Sequence, residues 1–206
     1  MFQYGGWLTL TNLINPLLTT VDRFVLSSLS GANKLALYTA PSELVSKLLI
    51  LPGIITRTAF PRLAKNNDKI LKRKIRIVII LLMLLLTVPI LIFSDFVITI
   101  WLGQDFNEAS GTLRILVFGL FFCGLAQLPY TAIQASGHSK IAAYIHLAEL
   151  IPYSVLLYVL VTNYSYNGAA LAWTIRVSAD FIIFSIAESK LEKKNLSLRG
   201  VEQYAA

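Results

Sequence analysis

The sequence predicts an all-α, polytopic membrane protein of six transmembrane helices, and three observations predict it. Hydrophobic residues make up 56% of the 206 and charged residues 14%, where a soluble domain carries about 25% charged residues. Mean hydropathy is +0.67. A soluble fold would have too little polar coat for that much apolar surface, and disorder is excluded because there is ample side chain to bury. The apolar residues gather into six stretches, each near the roughly 20 residues that carry a helix across a bilayer. No apolar–polar alternation persists long enough for a barrel.

The stretches run over about 7–29, 35–60, 75–101, 113–135, 141–163 and 168–187, and 188–206 reads as a tail. The first stretch lacks a basic start, contains Asp22 and Arg23 and has no small-residue cleavage pattern, so it is expected to remain in the mature protein. Positive charge crowds the link between the second and third stretches: Arg62, Lys65, Lys69, Lys72, Arg73, Lys74 and Arg76. Lys140 lies between the fourth and fifth, and Lys190, Lys193, Lys194 and Arg199 lie in the tail. The alternate links are poor in it, with Asp105 and Glu108 in one and an uncharged 164–167 in the other. Short basic links stay cytoplasmic, so both termini are expected on the cytoplasmic side. Lys34 and Arg114 break this pattern. The net charge of +7 is thus a topology signal, and nucleic acid is not an expected partner. Trp7, Tyr38, Trp101 and Tyr164 fall at stretch ends, where amphipathic rings favour the headgroup level.

Six prolines lie inside the stretches: Pro16, Pro41, Pro52, Pro89, Pro129 and Pro152. Each removes a backbone hydrogen bond and is expected to bend its helix, as in a bundle that lines a cavity or moves.

Intramembrane charges carry the functional reading. Asp22 and Arg23 lie in the first stretch, Glu43, Lys47 and Arg57 in the second, Glu149 in the fifth, Arg176 and Asp180 in the sixth. A charge at the bilayer centre costs about 3 kcal/mol on insertion scales, so these side chains should face the interior and find partners. Glu43–Lys47 and Arg176–Asp180 are each spaced i,i+4, neighbours on one helix face. Asp22, Arg23, Glu43 and Lys47 fall at similar depth, as a four-residue cluster would; Glu149 falls level with Arg176 and Asp180. Two readings stand: structural salt bridges, or a water-filled path in which Arg23, Lys47 and Arg176 attract an anionic cargo while Asp22, Glu43, Glu149 and Asp180 pair with them or couple to an ion. Arg57, near a span end, is expected to snorkel, and Asp95 to be solvated. His146 and Glu149 are i,i+3 and read as a hydrogen-bonded pair, since metal binding needs further ligands. Cys123, the one cysteine, excludes an internal disulfide and reads as packing. No catalytic triad, nucleotide-binding loop or zinc motif is present in the sequence, so no metal site, cofactor or enzymatic role is expected.

The motifs have an order of their own. Gly6 and Trp7 precede Asp22 and Arg23; Tyr38, Thr39, Ala40 and Pro41 follow, then Phe60 and Pro61. Trp101 to Phe106 reads WLGQDF, Gln134 to Lys140 reads QASGHSK, and Asn167 to Trp173 reads NGAALAW ahead of Arg176 and Asp180. In this order, over nearly the whole chain, the sequence resembles the C-terminal half of a Wzx-type O-antigen flippase, of the multidrug/oligosaccharidyl-lipid/polysaccharide exporter superfamily. The resemblance implies one six-helix lobe of a two-lobe, twelve-span exporter in the bacterial inner membrane. It implies transfer of undecaprenyl-pyrophosphate-linked sugar repeat units to the periplasmic leaflet, with coupling to an H+ or Na+ gradient. It places Asp22 and Arg23 on a family motif, Arg176 and Asp180 on a recurring polar pair, and Lys47 more weakly. The implied partners are the lipid-linked oligosaccharide, membrane lipids, and an N-terminal lobe or second copy. A drug or metabolite exporter of the same superfamily, a membrane-embedded enzyme and a non-transporting remnant or partner subunit are the alternatives. The cations beside the acids argue against a drug-cation exporter, and the short outer links against an enzyme.

Overall fold

The computed structural model describes the backbone of residues 2–66 and 69–205 and the side chains of residues 20–65 and 69–193. The predicted anchor Trp7, the prolyl ring of Pro16 and the tail residues Lys194 and Arg199 lie outside the described side chains. The chain is all-helical among the described residues: α1 (Phe2–Leu48), α2 (Ile50–Asn66), α3 (Lys69–Ile92), α4 (Ser94–Leu102), a short 3-10 turn (Gln104–Phe106), α5 (Ala109–Ala135) and α6 (Ser139–Ala205). Four helices are long and apolar enough to cross a membrane when α1 and α2 are taken as one, as residues 20–65. This is an α-helical, multi-pass membrane protein.

Two of those helices are folded back on themselves. At Gly31 the backbone takes φ 80, ψ 170. Tyr38 on one limb donates its hydroxyl proton to the Asp22 carboxylate on the other, although residues 16 apart would stand roughly 24 Å apart along a straight helix. At Ser165 the backbone takes φ 52, ψ −129, and the Arg176 guanidinium carbon lies 4.8 Å from the centre of the Tyr153 ring. Both α1 and α6 are therefore helical hairpins. Elsewhere the helices break at Leu49, three residues before Pro52, and at Phe93, four after Pro89. Pro52 withholds an N–H from the Leu48 carbonyl, one residue before the interruption at Leu49, whereas the Phe93 N–H still reaches the Pro89 carbonyl at 2.9 Å, so a missing N–H does not account for the second interruption. By contrast, α5 runs through Pro129 and α6 through Pro152, so the expected bends become interruptions only around Pro52 and Pro89.

The chain runs back and forth between two ends, and ion pairs mark both. At one end Lys34 meets Glu108 at 3.5 Å and sits 5.0 Å over the Tyr166 ring, while Arg114 pairs with Asp95 and reaches Ser94. The two cations that broke the charge pattern each have an acid beside them, and Asp95, expected to be merely solvated, is one of those acids. At the other end Lys72 meets Glu188 at 3.1 Å and Glu192 at 2.6 Å, and Arg76 meets Glu188 at 3.4 Å.

The core gathers around α5. Half of its apolar window is buried, against 22% for the other long helices. Leu113, Leu116, Leu120 and Leu128 meet Leu26, Ile79, Met83, Ile98 and Leu157 there. Gly119 lets α6 approach: a Cβ in its place would stand 2.5 Å from the Trp173 ring. On the far side, α3 turns Leu81, Leu85 and Ile92 outward, an apolar face suited to acyl chains. The predicted interfacial ring of Trp101 is 42% exposed and that of Tyr164 60% exposed, as anchors require. Tyr38 is a correction: at 2% exposed it is a core residue, because the Gly31 hairpin carries it to Asp22.

Candidate functional site

A string of polar side chains threads the apolar interior. It begins at the α1 hairpin with Tyr38 and Asp22, each 2% exposed. It continues across α6 through Tyr153 and Arg176, stacked ring to guanidinium. It ends where Asp180 meets Glu149 and His146. Burial of this kind needs partners, and the string is incompletely supplied with them. Asp22 Oδ1, Tyr153 Oη, Arg176 Nε and Nη1, Asp180 Oδ1, both Glu149 carboxylate oxygens and His146 Nδ1 are buried without a hydrogen bond. The charges answer one another electrostatically instead, Arg176 acting on both Asp22 and Asp180.

Two clefts open along the same helices. The larger, about 510 Å³, is lined by Arg57 and Thr56 of α2, Cys123, Gln127 and Tyr130 of α5, and His146, Arg176 and Asp180 of α6, among others. The smaller, about 330 Å³, is lined by Asp22, Arg23, Tyr38, Ser42, Ser46 and Trp173, with Thr20, Val45 and Leu116. Trp173 and Arg176 are one helical turn apart, so the clefts are neighbours along α6.

The residues singled out in the sequence divide among these places. Arg176 and Asp180 line the larger cleft, and no ion pair within 4.0 Å joins them, because Arg176 turns to the Tyr153 face. The four-residue cluster of Asp22, Arg23, Glu43 and Lys47 splits up. Asp22 turns inward to Tyr38, while Arg23 meets Glu43 across the hairpin at 4.0 Å, with side chains 42% and 56% exposed. At that exposure such a pair contributes about 0–1 kcal/mol. Lys47 is exposed, lines neither cleft and forms no ion pair with Glu43. Glu149 lies level with Asp180 as its depth predicted. His146 sits 3.6 Å from Glu149 and packs on Phe184 and Tyr130. Asp180 adds a third donor to that pair, and the ligand atoms of all three lie within 4.8 Å of one another. Theirs is the group of residues that could hold a cation. Sequence reasoning missed this meeting, which depends on the Ser165 turn, and it undervalued Arg57, which lines the same larger cleft as Arg176. Cys123 packs against the core as expected and borders the same cleft.

The described residues thus form a polytopic helical membrane protein with a buried cation at a cleft. Comparison with known proteins narrows the class. Residues 1–67 match the family model described as polysaccharide biosynthesis protein. A Shigella flexneri protein described as a candidate O-antigen transporter is 44% identical over 189 residues, covering 89% of this chain and 45% of the relative. The teichuronic acid biosynthesis protein TuaB of Bacillus subtilis is 26% identical, over 95% of this chain and 42% of its own length. The capsular polysaccharide biosynthesis protein CapF of Staphylococcus aureus is 26% identical, over 82% and 44%. No solved structure gives a significant match. Over most of its length the chain is similar to O-antigen and polysaccharide biosynthesis membrane proteins. It spans less than half the length of these relatives.

Proposed function

We propose that this chain is one six-crossing lobe, residues 1–206 with 188–206 as a cytoplasmic tail, of a flippase that moves lipid-linked sugar repeat units across the bacterial inner membrane. In this reading a second lobe completes the cavity, both termini are cytoplasmic, and the cargo is an undecaprenyl-pyrophosphate-linked oligosaccharide. One observation carries it: the Arg176 guanidinium is buried, lines the larger cleft, and has Nε and Nη1 without a hydrogen bond. A buried cation with spare donors is suited to a pyrophosphate, which offers several anionic oxygens to a planar fork. Arg57, which lines the same cleft from α2, is a second point of positive charge. The basic end around Lys72 and Arg76 supports the orientation.

Coupling to an ion gradient is assigned to Glu149 and Asp180 with His146. Two carboxylates held face to face repel unless a positive charge comes between them, and a proton or a sodium ion supplies it. Neutralising Asp180 alters the field on Arg176 and hence its hold on an anion. Arg23 stands at the second cleft, and Lys47 and Glu43 are assigned a surface role.

The test is genetic. Arg176→Ala in a full-length protein carrying this lobe is expected to lower surface O-polysaccharide roughly tenfold, the factor that 1.4 kcal/mol of lost binding produces, at unchanged membrane abundance. Arg176→Lys is expected to restore little, since an ammonium can sit over the Tyr153 ring but cannot fork onto a phosphate. Normal polysaccharide from the Ala variant would reduce Arg176 to a packing residue.

A further inference from the structure

We propose that the smaller cleft is a separate subsite for a neutral, hydroxyl-rich sugar, distinct from the anion-binding larger cleft one helical turn away. The inference rests on the reading of the cargo as a lipid-borne saccharide and names where on this chain its sugar is held.

The lining sets the ligand class. Asp22 is 2% exposed, lines this cleft, and keeps Oδ1 without a hydrogen bond while Tyr38 occupies Oδ2. A buried carboxylate oxygen with no donor calls for a hydroxyl or amide N–H from a ligand. Ser42 and Ser46 give their protons to their own helix, Ser42 to the Thr39 carbonyl at 2.8 Å and Ser46 to the Ser42 carbonyl at 2.8 Å. Each hydroxyl oxygen, on a residue that lines the cleft, is left with lone pairs to act as an acceptor. Three acceptors with one cation, Arg23, at the rim match a ligand that is mostly donor hydroxyls. The same carboxylate repels a phosphate. Leu116, Val45 and Trp173 provide the apolar wall against which the C–H face of a sugar ring packs. The larger cleft has the opposite balance, with Arg57 and Arg176 on its walls. A molecule with an anionic group at one end and a sugar at the next therefore finds both needs met in sequence along α6, Arg176 first and Trp173 a turn later, about 5 Å on.

The experiment compares two probes on the 206-residue chain in lipid nanodiscs: bare undecaprenyl pyrophosphate, and the same lipid bearing a neutral trisaccharide, each read by native mass spectrometry. The wild-type chain is expected to hold the sugar-bearing lipid about tenfold more tightly, as one or two added hydrogen bonds supply. The double variant Ser42→Val, Ser46→Val is expected to erase that preference and leave binding of the bare lipid unchanged; Asp22→Asn, which also removes an acid acting on Arg176, is expected to erase the preference whatever it does to the bare lipid. The serine pair keeps the test decisive if Asp22→Asn does not fold. In cells making a neutral O-antigen, p-benzoylphenylalanine at position 46 is expected to crosslink to O-antigen sugar, detected by antibody, with no purification needed. Equal affinity for the two lipids, or a preference that survives the serine variants, overturns the sugar subsite and leaves the flippase reading standing. Failure of the wild-type chain to hold either lipid, together with no crosslink in cells, overturns both.

Discussion

The guanidinium of Arg176 lies 4.8 Å from the centre of the Tyr153 ring, with the two residues 8% and 3% exposed. The stack holds a cation in the interior of a bundle without neutralising it. A carboxylate at the same distance would satisfy the guanidinium and also occupy it; an aromatic face stabilises the charge by about 1–2 kcal/mol and leaves its edges available. Tyr153 is thus a positioning residue. Its hydroxyl has no hydrogen bond, so Tyr153→Phe is expected to keep the stack and match or slightly exceed wild-type thermal stability. Tyr153→Ala is expected to lose about 3–5 kcal/mol by opening a cavity and to loosen Arg176. Transport that falls only with the Ala variant would support the stack. An equal loss in both would assign the work to the hydroxyl.

At the other end of the bundle Lys72 and Glu188 form a buried pair at 3.1 Å, with side chains 7% and 6% exposed. Removing one member of such a pair is costlier than removing both, because the other charge stays buried: without Lys72, Glu188 keeps only the exposed Arg76 at 3.4 Å. Lys72→Met is expected to destabilise the protein by about 3–5 kcal/mol, and Lys72→Met with Glu188→Leu to recover most of it. Thermal unfolding of single and double variants in nanodiscs measures the coupling; additive losses would exclude a direct interaction.

Much of this was legible in the sequence because hydropathy and charge placement act one residue at a time. The apolar stretches are helical apart from interruptions at Leu49 and Phe93, and Arg176 and Asp180 are buried, with the Glu149 side chain 13% exposed. What was not legible depends on the two reversals. Tyr38 reads as an interfacial ring until Gly31 folds it onto Asp22. His146 and Glu149 read as an isolated pair until Ser165 brings Asp180 to them. Lys72 reads as one charge in a basic link, since its partner Glu192 comes 120 residues later. Arg57 was placed by distance from a span end, which says nothing of the wall it faces.

Those two reversals yield an opposed pair of predictions. Gly31 and Ser165 both hold positive φ, at 80 and 52, a region that a Cβ disfavours. Nothing lies within 4 Å of the Cβ position at Gly31, so Gly31→Ala acts through backbone strain alone and is expected to cost about 1–3 kcal/mol. Ser165 already carries that strain, and its ψ of −129 lies where glycine is at ease. Ser165→Gly is therefore expected to stabilise the α6 hairpin by about 1 kcal/mol, with Arg176 still on Tyr153. Ser165→Val, with a branched Cβ, should destabilise it further than serine does. Melting temperatures of the three variants in one lipid composition decide the matter: Gly31→Ala and Ser165→Val below wild type, Ser165→Gly above. A drop for Ser165→Gly would mean that the serine side chain holds the turn by contacts worth more than the strain it bears.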